Sequence, residues 1–515
     1  MKKITSLLCF VLISSGIAAQ SFSNQYGPGI STNLNPFAQL FKIISTSDGG
    51  YACITPSTNS AATQSSFSVV KTDFSGNVLW AFAYDSVTQH DFAYQIVQLP
   101  DSSLAIGGES NAGKIHYWHI SASGALLSAY AYHDTTPLTI QTGRSLSLSG
   151  DGNLVFAGRN KDNHFVMKTT IAGNLLWAKS FGHNLPYHIA GADVVTGTSD
   201  GGMLVAGVMY RDTVSPQDTS DLEIIKLDAA GNLQWFRQLG PGAQTVSVSA
   251  VCETSTGDYL IGGRYGAFAS WQSLLKISAT GNVKWFKLIG SGIGNNGFIS
   301  EKSNGNYLVG TVWTTPPGLT HVDTSGNVSA VGLYNYSSAY PFSSLAATLS
   351  QDSGVAFYGS DYSNLFIIKT NSLFQASCNM GSVAGSSSGI PFVIDTVINI
   401  FYPVITVQDV TSTFTVTPVA APVINICLTT AEEEMNANHT SVLIFPNPSN
   451  GKCFVRTTEI NSTLTFMNSL GQIIYREEIT KPETEIDFQA LREGIYFYIL
   501  TTQTGIKASG KLAVE

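Results

Sequence analysis

Charge is scarce in this chain. Lys, Arg, Asp and Glu together make up 12% of its 515 residues, about half the usual share. What charge there is leans acidic: the net value is −9 and no Lys/Arg cluster offsets it, which argues against a nucleic-acid partner. No stretch after residue 17 is apolar for long enough to span a bilayer. Cysteine is thin too, with six residues: Cys9, Cys53, Cys252, Cys378, Cys427 and Cys453. None belongs to a Cys-x-x-Cys or Cys/His cluster, so no structural zinc site is expected. A His-Glu-x-x-His helix and a phosphate-binding loop are also missing. No catalytic constellation, metal or cofactor is therefore expected.

What the chain has in quantity is glycine, 48 residues of it, distributed periodically. One half-repeat reads apolar strand, Asp-Gly turn, apolar strand, Gly-Gly. It recurs over residues 41–55, 93–109, 144–159, 192–208 and 248–264, with weaker copies at 297–313 and 344–360. The other half-repeat turns on Gly76, Gly124, Gly173, Gly231, Gly281 and Gly326, and four copies carry a tryptophan just beyond: Trp80, Trp177, Trp235 and Trp285. The spacing of ~50 residues is that of a four-stranded propeller blade. Asp-Gly and Gly-Asn suit hairpins because they accept positive φ where a Cβ is least costly. The tryptophans read as packing between blades.

Seven first halves but six complete second halves are present. The seventh lacks its outer strand, and residues 22–27 match 177–182 in pattern: aromatic, three variable residues, aromatic, glycine. The mature N-terminus is expected to supply that strand and close the ring. The fold class that follows is all-β: a seven-bladed β-propeller closed by an N-terminal strand, a short β-rich connector and an immunoglobulin-like β-sandwich. The expected boundaries are a signal peptide at 1–19, with Lys2-Lys3 before an apolar run and Ala18-Ala19 at its end; the propeller at 20–379; the connector at 380–430; a polar hinge at 431–440; and a terminal domain at 441–515. Within the connector, 381–389 reads as a Gly/Ser-rich linker, and 392–407 and 413–426 read as strands. Cys378 and Cys427 bracket it and are the disulfide candidates in an oxidising compartment. Cys53 and Cys252 lie in apolar strands and are expected to be buried and reduced.

The last 75 residues carry an ordered set of signals: Pro446-Asn447-Pro448-Ser449-Asn450-Gly451, then Leu470-Gly471, then Gly494-Ile495-Tyr496 and a closing strand. This set resembles the type A C-terminal sorting domain of the type IX secretion system. Cys453 departs from it, standing where an aromatic or aliphatic residue is usual. The Asp-Gly-Gly-Tyr and Gly-Asn-x-x-Trp repeats also resemble propeller repeats of type IX cargo. The resemblance implies passage through the periplasm, recognition by the outer-membrane translocon and its sortase, cleavage of the domain, and attachment to the surface or release.

Candidate ligand contacts lie in or beside the variable connections between repeat strands. They are Arg159, Tyr187, Tyr210, Arg211, Arg264, Tyr265, Trp271, Trp313 and Tyr362. Arginine and aromatic side chains on a rim suit recognition of a glycan or a protein. Noncatalytic binding at or beyond the cell surface is the reading these residues support. Two alternatives stay open: an extracellular propeller enzyme acting on glycans, which needs two convergent carboxylates, and a structural or adhesion protein with no small ligand.

Overall fold

In a computed structural model, the chain separates into two compact units, Met1–Cys427 and Leu428–Glu515. The structure describes residues 21–26, 42–58, 65–86, 90–111, 113–134, 141–182, 189–210, 220–240, 245–266, 271–289, 295–312, 318–334, 343–360, 365–375, 380–383, 387–389, 399–401, 405–419, 423–425, 442–445, 449, 452–468, 473–487, 494–502 and 505–514. The expected leader, the hinge, Cys378 and Cys427 lie outside these residues.

The described residues are almost all strand, with one short 3-10 turn at Thr411–Thr413. In the first unit they build seven antiparallel sheets, each around a four-stranded meander. Sheets one to six are consecutive in the chain, running from Lys42–Ser45 in sheet one to Val328–Tyr334 in sheet six. Sheet seven takes Ser343–Leu349, Val355–Ser360 and Leu365–Lys369, and its fourth strand is Phe22–Tyr26. Its register is Phe22 opposite Lys369, the same repeat position as Trp177 opposite Lys168. The N-terminal strand therefore occupies the place the sequence pattern assigned to it.

Seven apolar cores lie between neighbouring sheets. The core between sheets one and two, for example, joins Phe67 and Tyr84 to Ile106 and Trp118. The core between sheets seven and one joins Tyr26, Tyr358 and Ile367 to Tyr51 and Cys53. The first strands of the sheets touch in sequence and the seventh returns to the first. This propeller-like closed cycle leaves no sheet face without a partner.

Each sheet also grips the next one polarly, at the positive-φ turns. Trp80, Trp235 and Trp285 donate their indole N–H to Ala122, Ala279 and Thr324 carbonyls in the following sheet, at 2.9, 2.9 and 3.1 Å. Four residues beyond Trp80 on the same strand, Tyr84 donates to the Gly124 carbonyl, and Tyr132 on the outer strand of sheet two donates to the Gly173 carbonyl, both at 2.7 Å. Tyr26 makes the same bond across the closure, to Gly76 O at 2.8 Å. The tryptophans thus act between sheets, as their spacing indicated.

A repeated ion pair was not apparent from the hairpin motif alone. The third strand of every sheet carries Lys or His at one register position: Lys71, His119, Lys168, Lys226, Lys276, His321 and Lys369. Lys71, Lys168, Lys226 and Lys369 reach back to Asp48, Asp151, Asp200 and Asp352 in the first turn, at 2.7–2.8 Å. Their stems are buried, while the Asp48, Asp151 and Asp200 carboxylates stay about half exposed and Asp352 is largely covered. Burial raises the Asp48 and Asp200 carboxyls, but the lysine and threonine hydrogen bonds outweigh it and hold both below the ordinary range. These aspartates, read from sequence as turn formers, also neutralise a buried ammonium that would be costly alone.

Six short strands between residues 380 and 425 form a belt around the sheets. Met380–Val383 pairs with the outer strand of sheet six, Ser387–Gly389 with sheet five, Asn399–Phe401 with sheet three and Ile405–Asp409 with sheet two. Phe414–Pro418 then pairs with sheet one, and Val423–Asn425 with Phe22–Tyr26 in sheet seven. The belt runs opposite to the chain order of the sheets. It covers outer edges that would otherwise offer unpaired backbone groups. The Gly/Ser-rich stretch 381–389, expected as a linker, contributes to two of these strands. Within the Val/Ile/Thr-rich stretches, the described residues form the short strands Asn399–Phe401, Ile405–Asp409, Phe414–Pro418 and Val423–Asn425, which are shared among different sheets; the rest of the stretches lies outside the described residues.

The second unit has a three-stranded sheet of Leu443–Phe445, Lys452–Arg456 and Glu483–Asp487, and a four-stranded sheet of Ile473–Ile479, Ser462–Met467, Gly494–Thr502 and Gly505–Val514. Alternate residues of both sheets meet in one core of Ile444, Cys453, Val455, Leu464, Phe466, Ile486, Leu500 and Leu512. Cys453 is fully buried there, and burial pushes its thiol up to about 11. It acts as a small apolar residue, which accounts for its tolerance in a position usually filled by larger ones. Cys53 is buried and free, as expected, whereas Cys252 is only half-buried. Its strand is the inner one of sheet five, and Cys252 packs at the margin of the core between sheets five and six.

Candidate functional site

The first strand of each sheet faces the axis of the ring. In sheets two to seven this strand is interrupted at one repeat position, seven residues before the turn aspartate or its counterpart. The register skips Tyr94, Arg144, Asp193, Ser249, Gly297 and Leu345. Such β-bulges re-aim a side chain and recur beside functional sites. At least one glycine of the second strand lies opposite each bulge, and in sheets two and five there are two. A Cβ on Gly108 would stand 2.0 Å from the Phe92 carbonyl oxygen, and one on Gly107 would meet Leu146 of the next sheet at 3.0 Å. One glycine admits the bulged backbone and the other admits the neighbouring sheet.

The inner strands enclose a cavity of about 690 Å³. Five of the six bulge residues, Tyr94, Arg144, Asp193, Ser249 and Gly297, line it, together with Lys42, Tyr210, Arg159, Arg264 and Asn296. The antiparallel meander puts the bulges at the same end of each sheet as the connection between its second and third strands. That end is also where the longest variable connections were expected.

Arg144 is the electrostatic centre of this cluster. Its Nη1 lies 3.3 Å from Asp193 Oδ1. On the neighbouring sheet, Tyr94 donates to Glu109 Oε1 at 2.8 Å. Burial raises the Asp193 carboxyl, against the opposing pull of Arg144 and His164. Burial likewise raises Glu109, against the Tyr94 hydroxyl, Arg144 and the Gly143 amide. Behind the cavity wall, His164 Nε2 meets Glu223 Oε2 at 2.5 Å, both side chains fully buried. Lys42 enters from sheet one, and burial lowers its ammonium pKa. Among the described residues no group of His, Cys, Asp or Glu could hold a metal ion.

The sequence-derived candidates divide into three sets. Arg159 and Arg264 occupy one register position on the second strands of sheets three and five, opposite Thr142 and Ser247, and both line the cavity with Tyr210. Arg159 is also tied to Asp162 at 2.9 Å. Tyr265 and Trp271 face each other across the adjoining hairpin outside the cavity: Tyr265 packs on Phe286, and Trp271 is 44% exposed. Tyr187, Arg211, Trp313 and Tyr362 lie outside the described residues, and the register position expected for Trp313 belongs to Val312. Sequence reasoning missed Lys42, Tyr94, Glu109, Arg144 and Asp193. The offset of seven residues before each turn was the available signal, but only pairing reveals that the position is a bulge.

In the second unit, Gly494, Ile495 and Tyr496 open the strand Gly494–Thr502, and Tyr496 joins the core. Ser449 is buried, its amide bonded to Ala513 O at 2.8 Å and its hydroxyl to Lys452 O at 2.7 Å. Pro446, Asn447, Pro448, Gly451 and Gly471 lie outside the described residues.

The family described as a secretion system C-terminal sorting domain matches residues 443–515. This type IX signal indicates export to the cell surface or beyond it, and it implies interaction with the type IX machinery. No helix among the described residues is long and apolar enough to cross a membrane. No curated protein matches the sequence. Among solved structures, the chain is similar to PorZ, a surface component of the type IX secretion system of Porphyromonas gingivalis, at 12% identity and a TM-score of 0.36. That match covers 92% of this chain, which spans 59% of the matched PorZ chain. It is also similar to a putative 6-phosphogluconolactonase from Bacteroides uniformis, at 11% identity and a TM-score of 0.40, over 60% of this chain and 94% of the other. A third likeness is to the β-propeller domain of a Myceliophteria thermophila protein, Cps50 (Swd1), at 12% identity and a TM-score of 0.31, over 53% and 96%.

Proposed function

We propose that the first unit is a seven-bladed β-propeller that binds a glycan, without catalysis, in its axial cavity, and that the second is an immunoglobulin-like sandwich serving as its export signal. The observation that carries the binding reading is the cavity and its ring of bulges, which turn Tyr94, Arg144 and Asp193 toward one space. A volume of about 690 Å³ fits a small ligand, since such sites run ~300–1,000 Å³. A protein partner needs a broad surface instead, so of the two ligand classes the cavity favours a glycan. After translocation, the sortase cleaves the second unit and the propeller is attached to the surface or released.

Screening the exported protein against neutral and acidic glycans tests this reading. A ligand is expected whose affinity falls ~10-fold or more in Tyr210→Ala, as for other central aromatic contacts. Unchanged affinity in that variant, with contacts mapped away from the cavity, sinks the reading. One observation favours an enzyme instead: Glu109 and Asp193 flank Arg144, and both carboxyls are held above their ordinary range. Retaining or inverting cleavage needs such a pair ~5–10 Å apart. Reducing ends released by the wild type but not by Asp193→Asn, with binding intact, would establish that reading.

We further propose that Cys378 and Cys427 form a disulfide. Support comes from the belt, whose first described strand lies on sheet six and whose last lies on sheet seven. The bond would close the belt after a full circuit. Non-reducing peptide mapping of exported protein should recover the linked pair; free thiols at both positions contradict it.

A further inference from the structure

The charge of the cavity is opposite to that of the chain. The protein carries −9 overall, yet the described cavity wall holds Lys42, Arg144, Arg159 and Arg264 against the single carboxylate Asp193. Arg144 faces Asp193 at 3.3 Å, and Arg159 faces Asp162 at 2.9 Å. Lys42 has no ion pair or hydrogen bond among the described residues, although it is enclosed enough for burial to disfavour its ammonium. An enclosed charge is costly unless an opposite charge or hydrogen bonds compensate it. The other six sheets show what an inward lysine is not needed for. At the position of Lys42 they carry Gln95, Ser145, Val194, Ala250, Phe298 and Ala346, none of them a cation. The buried lysines that hold the ring together sit on the third strands, each on its own turn. Lys42 is outside that scheme, and ring geometry does not require it.

We propose that the cavity takes an anionic glycan, a sugar bearing a carboxylate or sulfate, with the acidic group received by Lys42 and with Arg264 and Arg144 presented from sheets five and three. This rests on the glycan-binding reading above. Guanidinium groups match the planar, two-oxygen face of a carboxylate and also bind sulfate oxygens. Asp193 does not oppose such a ligand strongly. Burial already favours its protonated form, and Arg144 offsets the charge that remains. The Tyr94 and Tyr210 rings supply the apolar surface on which a sugar can lie.

The test is titration calorimetry on the exported full chain with three probes: trigalacturonate, its methyl ester and a sulfated disaccharide. The methyl ester keeps the sugar and removes the charge. Expected is binding of the uronate, the sulfated sugar or both, with the ester weaker than the acid by ~10-fold or more, and weakening as salt rises. Lys42→Met should lower affinity for the acidic probe by ~10-fold or more while Lys42→Arg retains it; Arg264→Met gives an independent second loss. Thermal melting of each variant establishes that the ring is intact. Equal affinity for acid and ester overturns the inference but leaves glycan binding standing, as does a cavity-mapped neutral ligand from the screen. Wild-type affinity in both Lys42→Met and Arg264→Met also overturns it. So does failure of all three probes to bind. Only the absence of any cavity ligand in the wider screen removes the underlying reading.

Discussion

Deletion of residues 21–27 opens the ring. Sheet seven then loses its fourth strand, and the edge of Leu365–Lys369, paired along its whole length with Phe22–Tyr26, is exposed. The belt loses its terminal attachment as well, because Val423–Asn425 pairs with the same strand. Tyr26 is the most valuable single side chain in this closure. It is 1% exposed, packs in the core between sheets seven and one, and bonds Gly76 O. Tyr26→Ala should cost ~3–5 kcal/mol, the range for truncating a large buried aromatic, and should leave the Gly76 carbonyl without that donor. Tyr26→Phe removes only the hydroxyl and should cost about 1 kcal/mol. Urea unfolding of the three proteins measures this order. The deletion should also aggregate through its new edge. A deletion protein as stable and monomeric as the wild type would contradict closure by the N-terminal strand.

Truncation before Ala431 should abolish surface delivery and leave the first unit folded. The two units have separate cores, and the boundary between them falls at residues 427 and 428. The residues of the seven cores of the first unit are all retained when the second is removed. Cell fractionation should find the truncated protein in the periplasm, with the melting temperature of the ring retained. Truncated protein on the surface would separate export from the sorting domain and overturn that assignment. A truncated protein that fails to fold would show that the ring depends on the second unit.

The repeats made the sheets legible, for a physical reason. Hairpins need positive φ, glycine meets that need most cheaply, and so each turn left a mark near Gly76, Gly124 or Gly173. The missing seventh outer strand was legible because Phe22 and Tyr26 repeat the spacing of Trp177 and Phe181. Other features left weaker marks. The belt strands are three to five residues long and scattered over different sheets. A Gly/Ser-rich run such as 381–389 has linker composition whether or not a sheet edge waits for it. The site was legible only in part. Arg159, Arg264 and Tyr210 stood out as arginine or aromatic residues at the ends of strands. Arg144 and Asp193 lie inside strands and Lys42 opens one, where alternation alone assigns no axis-facing role. Their direction follows from the bulge and the ring, which exist only once distant strands have paired.

The most direct test of the account is hydrogen exchange of the exported protein with and without a glycan ligand. Binding in the cavity should slow exchange in the inner strands around Tyr94, Arg144, Asp193 and Ser249, together with Lys42–Ser45, and leave residues 443–515 unchanged. Slowing confined to the outer strands, the belt or the second unit would contradict the cavity as the binding site.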